Sequence, residues 1–306
     1  MTRTDDDTWD ITESVGATAL GVAMARAAET RDDCCRLFDD PYAQWFVDAA
    51  IERGWQPPIP DTDVSKLPAR MRMVWAYAAA RTKHFDDYFI AAGAAGLVQV
   101  VILAAGLDAR AWRLPWVTDT VVYEIDQPKV LQFKAETLRA HDAQPAARVV
   151  EVPIDLREDW PTALRDNGFD PSQPTAWLAE GLLPYLPADG QDLLFERVQQ
   201  LSAVDSRIAV EAFGPGYFDE DYQQQIRAAV REMREEAAQA GHDIPDATEL
   251  FFAEPRADVA DWLRDRGWEV TNLPAAEVVV RHKRELADDM QDRRSVFVEG
   301  RRLAGP

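Results

Sequence analysis

A glycine-containing turn and an acidic residue about twenty positions further on form the pair with the clearest chemistry in this sequence. The turn, residues 104–108, follows an apolar run at 98–103, and Gly106 permits close backbone approach to a ligand. Asp126 ends a second apolar run at 120–125. Strand, turn, connecting segment, strand and terminal acid together predict a nucleotide-binding unit, because one carboxylate can accept hydrogen bonds from both ribose hydroxyls. The alternative for Asp126 is a solvated strand end.

The charge inside the turn bears on which nucleotide is bound. Ala104, Gly106 and Ala109 spell A-x-G-x-x-A, a partial match to the fingerprint of dinucleotides such as NAD. Asp108 lies where a pyrophosphate would sit, and an anion beside two phosphates is unfavourable. S-adenosylmethionine (SAM) has a ribose, no phosphates, and a cationic amino group and sulfonium. The turn therefore favours SAM over NAD, although a turn aspartate often only caps the following helix.

A further acid is expected beside Asp126, because ligands of such sheets bind beyond the carboxyl ends of the strands. Asp155 closes a third strand that includes residues 149–153. Its carboxylate can accept a hydrogen bond from the adenine amine while the Leu156 backbone meets the ring edge. The alternative for Asp155 is the N-cap of a helix.

Three other side chains each have a possible function in the site and a purely structural alternative. Arg81 could hold the methionine carboxylate of SAM through two parallel hydrogen bonds, or form a surface salt bridge with Asp86 or Asp87. Tyr185 could orient a substrate oxygen from a loop over the site, or be a buried aromatic residue. His84 fits a structural histidine better than a general base.

Strands alternating with helices predict a doubly wound α/β sheet. The predicted strands are 98–103, 120–125, 149–156, 175–178, 207–213, 268–270 and 295–298. The predicted helices are 14–29 with Ser14 as N-cap, one that starts at Pro41, 69–92, 129–140 and 189–202, the last with Leu193, Leu194, Val198 and Leu201 facing inward. A charged helical insertion at 217–241 could be a lid or a solvated amphipathic helix.

Six separated blocks carry a resemblance to a known family. The longest is VVILAAGLDARAWRLPW followed by VVYEIDQP, and the others are SVGATAL (14–20), FDDPYAQWFV (38–47), RTKHFDDYF (81–89), IDL (154–156) and AEGLLPYLP (179–187). In this order they resemble the actinobacterial SAM-dependent methyltransferases related to leucine carboxyl methyltransferases. The usual turn in that family is L-G-A-G-L-D-[TS]-R, so this chain has Ala104 in the place of the first glycine.

The resemblance implies an architecture and a role for one more acid. It implies a mostly parallel, seven-stranded Rossmann-like methyltransferase sheet in a SAM-binding domain at 96–306, with a helical insertion at about 216–250. It also implies that the helical segment 1–95 packs over the cofactor as an N-terminal cap. Relatives place an acid at the position of Glu180 near the methionine amino group or sulfonium, whereas a buried ion pair is the alternative.

Composition limits the partners and the compartment. Lys plus Arg number 33 against 54 Asp plus Glu, a net charge of −21, which argues against nucleic acid and anionic membranes. Cys34 and Cys35 are adjacent and are the only cysteines, so a reduced compartment is expected and a zinc site is not. The acidic N-terminus does not resemble a signal peptide, and no run reaches the length of a membrane span. We expect a cytoplasmic protein.

The predicted activity is SAM-dependent O-methylation. The resemblance suggests a carboxylate acceptor on a small molecule, which is ionised at neutral pH and needs no general base. We therefore name no catalytic residue. Two alternatives remain at this point: an NAD-linked oxidoreductase, and a non-catalytic SAM-binding regulator.

Overall fold

The structure is a computed structural model that describes residues 11–12, 14–59, 64, 67–239, 241–242, 244–284 and 294–305. The acidic segment 1–10 and the side chain of Ser14, predicted as an N-cap, lie outside this description. No helix in the described ranges is long and apolar enough to cross a membrane.

One sheet organises the described chain. Its strands, in chain order, are β1 (Gln99–Leu103), β2 (Val121–Asp126), β3 (Arg148–Pro153), β4 (Thr175–Ala179), β5 (Arg207–Phe213), β6 (Trp268–Pro274) and β7 (Ser295–Arg302). They lie in the order β3-β2-β1-β4-β5-β7-β6. The pairs among β1 to β5 are parallel, and β7 runs antiparallel to both neighbours. This confirms the doubly wound, mostly parallel sheet of seven strands.

Six of the described helices lie close to their predicted positions, whereas four short ones, at 110–113, 160–166, 259–264 and 275–281, were not predicted. They are α1 (Ser14–Thr30), α2 (Pro41–Glu52), α3 (Ala69–Ala94), α4 (Arg110–Arg113), α5 (Pro128–Ala140), α6 (Trp160–Asp166), α7 (Ala188–Leu201), α8 (Glu220–Gln239), α9 (Val259–Arg264) and α10 (Ala275–Arg281). The start of α2 shows why the sequence signal was strong. Pro41 occupies the first turn, where its missing N–H costs nothing, and the Asp40 side chain accepts from the Ala43 N–H at 3.2 Å.

Strand β1 is buried on both faces, as its mainly apolar run predicts. Val101 and Leu103 pack into one apolar cluster, and Val100 and Ile102 pack into another, because successive side chains of a strand point to opposite faces. Helices α6, α7 and α9 contribute to the first cluster, whereas α3 and α10 contribute to the second. The ends of β1, β2 and β4 are therefore fixed from both sides.

One prediction about the core is wrong. The side chain of Leu193, predicted to face inward from α7, is 44% exposed, whereas Leu194, Val198 and Leu201 are buried as predicted. Leu193 instead contacts the cavity described below. Helical periodicity indicates which side chains share an apolar face, but does not separate a core from an apolar cavity wall.

Candidate active site

A cavity of about 1050 Å³ opens at the carboxyl ends of β1, β2 and β4. Helix α1 and residues 250–252 complete its wall. The cavity brings together all the residues that the sequence assigned to cofactor or substrate: Arg81, Ala104, Gly106, Asp126, Asp155, Leu156, Glu180 and Tyr185. Strand ends that are far apart in the chain meet here because the strands are parallel neighbours.

The turn after β1 is held against the acid at the end of β2. The Gly106 N–H donates to Asp126 at 2.6 Å, and the Gln127 N–H donates to the other carboxylate oxygen at 2.7 Å. Desolvation by the surrounding protein raises the pKa of Asp126 to about 6, although both backbone N–H groups favour its charged form. Each oxygen retains a lone pair, so this carboxylate can accept from two further hydroxyl groups.

Ala104 has an unusual backbone conformation. Its φ is +52°, in the left-handed region that glycine adopts freely and other L-residues avoid. Gly106, two residues on, has a φ of +49°. The alanine therefore holds a conformation that glycine would adopt freely, at the cost of local strain.

Asp155 lies at the cavity beyond the end of β3. Burial alone would raise the pKa of Asp155, but hydrogen bonds from the Arg157 side chain and backbone outweigh it, and the net shift is downward. The guanidinium lies 2.7 Å from the carboxylate, and the Gln127 amide donates to it at 2.9 Å. The N-cap alternative does not hold, because Asp159 caps α6.

The guanidinium of Arg81 lies between two glutamates. Its Nε is 2.9 Å from Glu180, and its Nη1 is 2.9 Å from Glu211, which also accepts from the Gly181 N–H. The hydroxyl of Tyr77 donates to the second oxygen of Glu211. These partners differ from Asp86 and Asp87, the salt-bridge alternatives considered for Arg81. Sequence reasoning missed Glu211, although it stands near the end of β5, as acids do on three other strands.

A second buried arginine connects the turn to Glu180. Arg110 contacts Glu180 at 2.8 Å and Asp86 at 2.7 Å, and it also pairs with Asp108. Burial would raise the pKa of Asp108, but the guanidinium of Arg110 lowers it to about 2. Asp108 also accepts from the Arg110 N–H at 2.7 Å. The N-cap of α4 is Ala109 and no side chain caps this helix, so Asp108 holds the turn through Arg110 and does not cap the helix.

Tyr185 and His84 have different surroundings. The Tyr185 hydroxyl lies 3.2 Å from the Thr18 hydroxyl of α1, and its ring packs edge-on against Phe251 in the cavity wall. His84 stacks on Phe297 and does not line the cavity. Burial lowers the pKa of His84 to about 4, so it is neutral at physiological pH, as expected of a structural histidine.

Arg256 joins two parts of the cavity wall, and no sequence motif predicted this role. Its guanidinium donates to the carbonyls of Leu183 and Leu186, both at 2.9 Å, and to that of Phe252 at 2.7 Å. The Phe252 N–H donates to the Pro184 carbonyl at 2.8 Å. These bonds join the turn after β4 to the segment that precedes α9.

In the described ranges, no cluster of His, Cys, Asp and Glu could hold a metal ion.

Comparisons with known proteins place the chain in a family. The sequence profile of the leucine carboxyl methyltransferase family matches residues 19–199. A protein of Mycolicibacterium paratuberculosis, named as an S-adenosyl-L-methionine-dependent methyltransferase, is 53% identical over 301 residues, which are 95% of this chain and 94% of the relative. A protein of Mycobacterium marinum with the same name is 50% identical over 313 residues, 99% of this chain and 100% of the relative.

Among solved structures, magnesium protoporphyrin IX methyltransferase from Synechocystis PCC 6803 with bound S-adenosylhomocysteine aligns with a TM-score of 0.49 and 13% identity, over 85% of this chain and 97% of that chain. The sequence matches do not favour the NAD-linked or non-catalytic alternatives. The family match covers more than half of the chain, and the relatives match nearly all of it. The chain belongs to the leucine carboxyl methyltransferase family and is an S-adenosyl-L-methionine-dependent methyltransferase.

Proposed function

We propose that this enzyme transfers the methyl group of SAM to a carboxylate oxygen of a small molecule and so forms a methyl ester. The observation that carries the proposal is that acids suited to a cationic nucleoside converge in one cavity, without an imidazole, amine or thiol among the described residues that line it. Among the described residues that line the cavity there is no histidine, lysine or cysteine. A carboxylate acceptor needs none of them, because it is already ionised at neutral pH.

The side chains of the cavity fit SAM in charge and in position. Asp126 retains acceptor capacity on both oxygens for the ribose hydroxyls. We assign Asp155 and the Leu156 backbone, which line the same cavity, to adenine, whose amine would take the place of an Arg157 contact on Asp155. Glu180 offers a negative charge to the amino group, and Arg81 beside it offers a cation to the carboxylate of the methionine moiety. We assign these residues to cofactor binding. The division of the chain at residue 95 into a cap and a SAM-binding domain, and a lid role for α8, remain predictions.

The chemistry asks for alignment more than for proton transfer. When bound, SAM supplies an electrophilic methyl group on a cationic sulfur. A new C–O bond forms as the C–S bond breaks, the electron pair stays on sulfur, and no proton moves. The protein's part is to hold the acceptor oxygen in line, which is worth up to ~7–11 kcal/mol in well-oriented reactions. We assign to the Tyr185 hydroxyl, which lies 3.2 Å from the Thr18 hydroxyl, the role of orienting that oxygen.

The partners and the compartment follow the same chemistry. We propose a free small-molecule acceptor and neither nucleic acid nor a membrane surface, since the chain carries a net charge of −21. A cytoplasmic location is supported by two free, exposed cysteines, Cys34 and Cys35.

The test is methyl transfer from isotope-labelled SAM to a panel of carboxylic acids, with products identified by mass spectrometry. We expect labelled products that mild alkali hydrolyses, as it does esters and not ethers. Arg81→Lys keeps the charge but loses the planar fork, so its KM for SAM should rise by at least about tenfold. Arg139→Lys, at an exposed position on α5, should leave it unchanged. Alkali-stable products would contradict the carboxylate acceptor.

A further inference from the structure

Part of the cavity has an apolar wall. We call this the acceptor wall and define it as Tyr185, Leu186, Leu193, Phe251 and Phe252, all of which line the cavity. A cavity of about 1050 Å³ lies at the upper end of the range for small-ligand sites, so it has room for a second molecule beside the cofactor. What that molecule can be depends on the chemistry of this wall.

Leu193 is the clearest sign that the acceptor wall contacts an apolar ligand. It is 44% exposed on α7, although its neighbour Leu194 is buried. Single exposed apolar residues are common on protein surfaces, but this one lies on the same cavity as the two phenylalanines of the 250–252 segment. Contiguous apolar surface of this kind marks a binding groove.

The acceptor wall is fixed by hydrogen bonds. Arg256 ties the carbonyls of Leu183 and Leu186 to that of Phe252, and its guanidinium also stacks over the ring of Phe213 at 5.0 Å. The ring of Tyr185 meets that of Phe251 edge-on with centroids 5.3 Å apart. A wall held in this way is preorganised, so an apolar ligand that binds it does not have to order a loose loop.

Charge limits the acceptor to one ionised group. Arg81 is assigned to the methionine carboxylate of SAM, and the other two arginines that line the cavity are engaged by acids: Arg26 by Asp40 at 3.0 Å and Arg157 by Asp155 at 2.7 Å. Asp189 also lines the cavity near the wall. A second carboxylate or a phosphate on the acceptor would meet acids and already neutralised cations, which is unfavourable.

We infer that the methyl acceptor is a free amphiphilic monocarboxylic acid, whose aliphatic or aromatic body lies against Leu193, Phe251 and Phe252 while its carboxylate lies near Tyr185. This inference rests on the proposed function, because it names the substrate class of the same site. The apolar body supplies the binding energy, and the single carboxylate is the group that is methylated.

The test is calorimetric binding of acids to the enzyme saturated with S-adenosylhomocysteine. Butanoate, hexanoate and octanoate form a chain-length series. Octanedioate has the same length as octanoate but carries two carboxylates. An apolar tripeptide tests whether the acceptor is instead the carboxyl end of a peptide. We expect affinity to rise by up to about fourfold for each added methylene, with octanoate well above octanedioate and the tripeptide. Equal affinity across the chain-length series would overturn the inference, as would tighter binding of octanedioate or of the tripeptide.

Two matched variants locate the binding surface. Leu193→Asn should weaken octanoate binding about tenfold, because it replaces apolar contact with an amide. Val280→Asn, at a 62% exposed valine of α10 that does not line the cavity, should leave it unchanged. Both variants should bind S-adenosylhomocysteine as the wild type does, and an unaffected octanoate affinity in Leu193→Asn would overturn the inference. Ester formation is measured separately: acids that bind in the expected series but are never methylated contradict the proposed function alone.

Discussion

The left-handed conformation of Ala104 leads to a prediction with an unusual sign. An L-residue at a φ of +52° is strained by about 1–2 kcal/mol, and glycine at the same position is not. Glycine is also more flexible than alanine in the unfolded chain, which lowers the stability of the folded protein by about 0.5–1 kcal/mol. Ala104→Gly should therefore stabilise the protein by about 0.5 kcal/mol, where an alanine-to-glycine change usually destabilises it. The affinity for SAM should be kept, because the backbone path is the same.

The assay is thermal unfolding of the wild type and two variants under identical conditions. Ala105→Gly is the control, since Ala105 is the adjacent buried residue and its φ is not positive. We expect Ala104→Gly to keep or raise the unfolding midpoint and Ala105→Gly to lower it by a few degrees. If both variants lower the midpoint equally, Ala104 is unstrained, and the turn does not follow the path that its usual glycine would take.

Three further predictions concern two buried charged sites and the arginine, Arg256, that holds the acceptor wall together. Lys134 and Glu124 form an ion pair at 2.7 Å, with side chains only 2% and 1% exposed. Lys134→Met leaves the Glu124 charge buried and unpaired, so it should lower the free energy of unfolding, measured in urea, by about 3–5 kcal/mol. The double variant with Glu124→Leu should recover most of that loss. Burial raises the pKa of Glu124 to about 7, so the folded chain binds a proton on this carboxyl more tightly than the unfolded chain does. At about pH 5 the carboxyl is protonated and needs no partner, whereas at about pH 8 it is ionised. The loss of unfolding free energy in Lys134→Met should therefore be larger at about pH 8 than at about pH 5. Desolvation raises the pKa of Asp126 to about 6, and the ribose hydroxyls bind its ionised form. The affinity for SAM, measured by calorimetry, should therefore be constant around pH 8 and fall by up to about tenfold per pH unit below pH 6. An affinity that stays level down to about pH 5 would contradict this. Arg256→Lys should weaken octanoate more than SAM in the same assay, because one ammonium cannot hold three carbonyls in a plane, and equal losses for both ligands would mean that Arg256 supports the whole fold.

The sheet could be predicted because its signals are local. The run at 98–103 is apolar without a helical period, so it predicted β1, and Asp126 marked the end of β2 because it closes the run at 120–125. The cofactor side of the cavity followed from the same pattern, since parallel strands bring such ends together.

The ion-pair network and the acceptor wall could not be predicted in the same way. Arg256 contacts Leu183 across 73 positions of sequence, and no short pattern encodes a guanidinium that binds three carbonyls. Glu211 could have been found, because the strand-end argument applies to β5 as it does to β2. Leu193 was misassigned because its spacing fits the buried stripe of α7, and only the folded chain shows that the stripe continues into a cavity.

The central claim is that this cavity binds SAM through Asp126, and calorimetric titration with SAM, S-adenosylhomocysteine and NAD tests it most directly. Loss of two hydrogen bonds to a charged acceptor should weaken binding of SAM and its demethylated product by at least about a hundredfold in Asp126→Asn. Asp166→Asn, an exposed acid at the end of α6, should bind as the wild type does. We expect micromolar binding of the first two ligands and none of NAD. Binding of NAD without SAM, or full SAM affinity in Asp126→Asn, would contradict the account.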